Sequence, residues 1–259
     1  MERALDDQIL HFGLGAEPQS IDPHLANSVS AHNILTALLE GLVSEDPKTL
    51  KPTPGVAEKW DISEDGTVYV FHFRKNAKWS NGDSVTAHDF VYSYKRILDP
   101  NLGSQYASML HVLKNAKVFG EGGKSWEEAE VGVKALDDLT LELTLENPVP
   151  YFLEQLNHFT WFPVHPPTIK KFNARTTRGT KWTRTGNYVG NGPFILTEHH
   201  VNSVIMVERN PKYWDAAKVR LNGIRFYPIE SVDTEERAFH SGFLHLTQTV
   251  SADRIDSLK

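Results

Sequence analysis

Between residues 55 and 98 the hydrophobic and polar positions change period, and a complete structural unit can be read from that change. Thr67 to Phe73 alternates, with Val68 and Val70 on one face and Tyr69, Phe71 and Phe73 on the other. β-branched and aromatic residues on both faces predict a strand that is at least partly buried on each side. Asp65-Gly66 before it and Asn81-Gly82 after it are tight-turn pairs, because glycine accepts a positive φ at little cost. From Thr86 the period becomes helical: Phe90, Tyr94, Ile97 and Leu98 share a face. Thr86 is the predicted N-cap, Asp89 falls in the first turn, and Asp99-Pro100 stops the helix.

The same reading along the chain predicts a strand over Ile9 to Leu14 and an extended loop over Glu17 to Leu25. A helix follows from His32 to Glu40, its face made by Ile34, Leu35, Leu38 and Leu39, with Ser30 as cap and Gly41 as stop. Tyr106 to Leu113 reads as a short helix, and Val131 to Leu136 with Leu139 to Leu145 as a hairpin about Asp137-Asp138. Another short helix should run to Leu156. A hairpin of Phe194 to Glu198 and Ser203 to Glu208, a strand from Ile224 to Ile229, a helix from Thr234 to Ser241 and a strand from His245 to Thr249 follow. Ala252 to Lys259 begins a last helix. Prolines cluster at 47–54 and again at 163–167, which suggests two crossings between bodies. Residues 42–164 are then an inserted domain, and 1–41 with 165–259 form one discontinuous lobe.

Composition narrows the function. With 259 residues, 40% of them hydrophobic, the chain can bury a core. No run approaches the about 20 apolar residues of a membrane span, and Met1 to Asp7 lacks the apolar centre of a signal peptide, so an export signal is expected to have been removed or replaced. A net charge of −6 argues against nucleic acid as a partner. The absence of cysteine excludes disulfides and thiolate chemistry. There is no GxSxG or HExxH motif. The 12 histidines, including His199-His200 in an expected turn, read as surface residues, and GLG at 13–15 and GEGG at 120–123 lack the setting of a phosphate loop. Trp60, Trp79 and Trp214 read as packing residues, and Gly190, Gly192 and Pro193 as backbone geometry at a strand entrance. Lys170 to Arg184 holds six basic residues and no acid; a solvated loop is the plain explanation, and contact with an anionic partner the alternative.

TPGVAEKW (53–60), WSNGDSVTAHDFVYSYKRI (79–97) and DPNLGSQYASML (99–110) closely resemble the oligopeptide-binding proteins of bacterial ABC importers. So do SIDP (20–23), EGL (40–42), GVKALDDLTLELTLENPVPYF (132–152), GNGPF (190–194) and ERNPKYWD (208–215), in the same order. The resemblance implies an α/β fold of the periplasmic-binding-protein type, class II: a discontinuous first lobe with a mixed sheet plus an inserted α+β domain. It implies an extracytoplasmic, noncatalytic receptor, periplasmic or a cell-surface lipoprotein, that needs no cofactor. Short peptides and a membrane permease would be its partners.

Members of that family are about twice as long. The resemblance therefore implies that the second lobe, with the acidic residue that receives the peptide's amino terminus, is absent and that these residues are a fragment able to self-associate through uncovered apolar surface. Peptides of many sequences are best held through their common backbone. By the resemblance, Asn27, Ser28 and Val29 line the ligand as an extended segment, Tyr106 faces it from the inserted domain, and Gln248 and Thr249 belong to a ligand strand. The last pair departs from the tyrosine and asparagine frequent there. Read from the residues alone, 27–29 are equally a solvated loop and Tyr106 a helix-face core residue. The basic stretch at 170–184 is longer than its family counterpart and takes no role from it. A murein peptide, a metal chelate or haem as cargo, and an adhesion module using the basic loop, are the alternatives.

Overall fold

The computed structural model describes residues 7–251; the expected helix at 252–259 lies outside them. Two four-stranded sheets carry the architecture. The first joins chain segments far apart in sequence: β1 (Ile9–Gly15), β10 (Gly223–Pro228), β9 (Val204–Arg209) and β8 (Phe194–His200) lie side by side in that order. β1 is parallel to β10, while the β8–β9 and β9–β10 pairs are antiparallel, so the sheet is mixed. The second sheet, β4 (Ala57–Ile62), β5 (Val68–Phe73), β7 (Thr140–Thr144) and β6 (Val133–Asp137), is antiparallel throughout. A small ribbon of β2 (Val43–Glu45) and β3 (Pro52–Pro54) leads into it.

The central unit folds as its pattern dictates. β5 buries Tyr69, Phe71 and Phe73 and half-buries the valines on its other face. Gly66 and Gly82 take φ of +68° and +106° in the two turns. α2 (Ala87–Leu98) starts after Thr86, whose amide donates to Asp89 Oδ2 at 2.9 Å, and Trp79 Nε1 donates to the same oxygen at 3.0 Å. Trp79 is thereby fixed in the core.

Elsewhere tertiary contacts redraw boundaries. α1 runs from Val29 to Leu38, three residues earlier at its start than the His32 expected, because Ser28 rather than Ser30 caps it, its Oγ accepting from Ala31 N at 3.2 Å. It stops at Leu38 because Asn191 takes both backbone groups of Glu40: the Glu40 amide donates to Asn191 Oδ1 (3.0 Å), and Asn191 Nδ2 donates to the Glu40 carbonyl (2.9 Å). The helix expected from Tyr106 is a single 3-10 turn, Ala107–Leu110, since Leu113 is drawn into a bridge with Leu145. A short α3 (Ala116–Gly120) follows. α4 spans Phe152–Gln155, and the proline pair at 166–167 starts a helix, α5 (Pro166–Lys171), a position where the missing amide costs nothing. His199 and His200 end β8 rather than forming a turn. α6 is Val232–His240.

The strand expected at 245–249 shrinks to one bridge. His245 N donates to the His11 carbonyl (2.8 Å) and Gly13 N to the Leu246 carbonyl (2.9 Å), but β1 ends at Gly15 with φ +70°, leaving no ladder to continue. Gln248 N turns instead toward Glu235 Oε1 on α6, at 3.4 Å.

Candidate functional site

The loop from Ser20 to Asn27 belongs to no sheet, and buried side chains anchor it. Arg96 on α2, wholly buried, donates from both terminal nitrogens to Asp22 (2.9 and 2.7 Å) and from Nε and one Nη to the Ala174 carbonyl (3.2 and 2.8 Å). Burial alone would raise the Asp22 carboxyl, but the charge and hydrogen bonds of Arg96 outweigh it and hold Asp22 below the usual carboxylate range. His24 Nδ1 lies 2.9 Å from the same guanidinium and Nε2 lies 3.2 Å from the Phe162 carbonyl. Burial and the Arg96 charge push His24 down to about 3. The ring is therefore neutral, accepting at Nδ1 and donating at Nε2.

That anchor delivers residues 27–29 to an open surface. Ser28 is extended (φ −131°, ψ 157°), while Val29 is already the first residue of α1, so the expected extended segment ends one residue early. The Val29 side chain is 63% exposed. Asn27 Nδ2 donates to Gln105 Oε1 at 3.0 Å, tying the loop to the segment that carries Tyr106. Tyr106 packs edge-on to His158 and Phe159, at 5.6 and 6.1 Å between ring centroids, and its hydroxyl has no protein partner among the described residues. Burial and neighbouring His32 hold His158 down at about 4, so this aromatic floor is uncharged.

On the opposite side Gln248 Oε1 accepts from Asn33 Nδ2 at 2.7 Å. Asn33 lies one turn along α1 from Val29, which gives the two residues a common face. Segments 27–33, 105–106 and 248 thus meet around the α1 N-terminus. Thr249 is exposed beyond them, and its side chain makes no hydrogen bond among the described residues. Asn33, Gln105 and His158 were not foreseen. Asn33 shares a helix face with Val29 only once Val29 is placed on α1; nothing local marked the other two. Among the described residues no three His, Asp or Glu side chains converge as a metal-ligand set.

The family model described as bacterial extracellular solute-binding proteins, family 5, middle region, matches residues 51–259. The chain belongs to this family. Among family 5 relatives, the periplasmic oligopeptide-binding protein OppA of Salmonella typhimurium is 44% identical over 242 residues, which are 93% of this chain and 43% of that protein. OppA of Escherichia coli is 45% identical over 245 residues, again 93% and 43%. The family 5 fold is equally plain in solved structures. Haemophilus influenzae OppA in complex with the peptide RPPGFSPFR superimposes with a TM-score of 0.91 at 38% identity, covering 98% of this chain and 48% of that one. The unliganded open form of the murein tripeptide-binding protein MppA also gives 0.91, at 33% identity and 98% and 47% coverage. The chain therefore spans about half the length of the relatives it matches. No helix among its described residues is long and apolar enough to cross a membrane.

Proposed function

We propose that this chain supplies the first wall of an extracytoplasmic peptide receptor, which holds short peptides through their backbone and hands them unaltered to an ABC permease. The observation that carries this is the pair of side-chain bridges, Asn27 to Gln105 and Asn33 to Gln248, which draws three distant segments to one open face. There Asn27, Ser28, Val29, Tyr106, Gln248 and Thr249 would contact the ligand: main-chain groups of 27–28 and 248–249 for its backbone, and the Tyr106 ring and free hydroxyl over it. The site needs no cofactor and performs no reaction. The relatives are named as periplasmic proteins, and that setting, free or lipid-anchored, is proposed here. MppA, named as a murein peptide-binding protein and 35% identical, makes a murein peptide the second candidate cargo.

The proposed domain division places 1–41 and 165–259 in one discontinuous lobe and 42–164 in an inserted domain. In its support, β1 pairs with β10 in a sheet otherwise built from the last third of the chain, whereas β4 to β7 pair only among themselves.

Calorimetric titration of mixed short peptides tests the reading. This 259-residue chain should bind weakly, above the micromolar range, and a version extended to the length of its relatives should bind tightly. Binding by neither would overturn peptide as the cargo, and submicromolar binding by the short chain would overturn the half-site.

A further inference from the structure

Beside Asn27 lies a cavity of about 700 Å³, within the size range of ligand sites. Its walls are the loop 18–27, the tip at Gly103 and Gln105, the basic loop 177–185 and the end of β8. Two guanidiniums, Arg178 and Arg184, line it. Arg178 donates to the Leu102 carbonyl at 2.8 Å and to the Gly103 carbonyl, which fixes its position but leaves its charge unneutralised. Arg184 has no side-chain partner among the described residues. Asp22 is the one carboxylate in the wall, and Arg96 takes both of its oxygens. Nearby Glu17 is engaged by His199 at 2.8 Å, and Arg175, the other arginine of the basic loop, by Asp99 at 2.8 Å. Among the described residues, neither guanidinium of the cavity wall forms an ion pair. Hydroxyls of Ser20 and Thr183 add donors, while the Thr180 Oγ1 behind them is shielded from solvent and has no hydrogen-bond partner among the described residues.

We propose that this cavity is an anion subsite annexed to the peptide groove, taking a carboxylate of the ligand, either an acidic side chain or the C-terminus. Planar guanidiniums match carboxylates in a charge-assisted geometry, and the polar walls supply the remaining donors. Asn27 belongs both to this wall and to the ligand segment, so a peptide in the groove would reach the cavity at that residue. The proposal rests on the peptide reading for its ligand, but its charge pattern does not.

Three peptides separate the possibilities in NMR titrations of the ¹⁵N-labelled chain: triglutamate amide (side-chain carboxylates), trialanine (terminal carboxylate) and trialanine amide (neither). The Trp182 indole and Thr180 amide report on the cavity, and the Tyr106 and Gln248 amides on the groove. At least one carboxylate peptide should shift the cavity signals saturably, and which one does identifies the carboxylate. Arg184→Gln, an exposed position, should cut the preference for that peptide over the neutral amide at least about fivefold. Equal cavity shifts from the neutral amide, silence with both carboxylate peptides, or an unchanged preference in the variant would each overturn the subsite. Cavity shifts with groove signals silent throughout would retain the anion site and remove the peptide reading instead.

Discussion

At Glu40 one carboxyl holds three stretches together. Burial raises it to about 7, against the lowering effects of hydrogen bonds from the Tyr213 hydroxyl and Trp214 Nε1 and of the Arg74 charge. Arg74 itself stacks 3.8 Å over the Trp214 ring. A carboxyl whose folded pKa lies above its unfolded value contributes its full stability below pH 4.5 and loses it as pH rises through about 7. Glu40→Gln removes that titration. Chemical denaturation across pH should show the variant gaining on the parent by about 1.4 kcal/mol per pH unit between 5 and 7, up to about 3 kcal/mol. A difference that stays flat with pH would mean Glu40 is ionised in the fold. His24 works in the opposite sense: its neutral folded form costs stability as pH falls below 6.5, which is why the difference between the two proteins is the quantity to read.

Elements meet here through backbone contacts that leave no room for a side chain. A Cβ on Gly190 would stand 2.1 Å from the Leu38 carbonyl oxygen, and one on Gly192 would stand 2.6 Å from the peptide joining Leu38 and Leu39. The end of α1 and the entrance to β8 are pressed together, with the Gly192 amide donating to Leu38 at 3.0 Å. Gly190→Ala should therefore lose about 2–3 kcal/mol in denaturant unfolding, since main chain cannot rotate aside. Gly186→Ala is the control: its φ is +79° but nothing lies within 4 Å, so about 1 kcal/mol is expected. Equal losses at the two positions would show that the contact at Gly190 is relieved by a small shift. The GNGPF motif announced a backbone requirement here, while its partner, 150 residues earlier in the chain, had no local signature.

Across the whole molecule, apolar side chains stand exposed near the last described residues: Phe239, Phe243, Leu246 and Val250 are 43–49% accessible. We propose that this surface drives self-association of the isolated chain, as apolar patches do when uncovered. Sedimentation velocity over a hundredfold concentration range should show the average mass rising, and a constant monomer would refute it. The period-2 run at 67–73, the helical run at 87–98, the turn pairs and the two hairpins were fixed by local chemistry, because alternation, capping and glycine turns act within a few residues. Family membership was legible for the same reason, in motifs whose residues shape this backbone. Where α1 stops, why 245–249 is not a full strand, and which residues stand around Asn27 depended on partners up to about 215 residues distant, such as Asn33 and Gln248. The two unneutralised arginines also emerged only there, since a charge run in sequence does not show which cations are already paired: Arg96 and Arg175 are, while Arg178 and Arg184 face an open cavity.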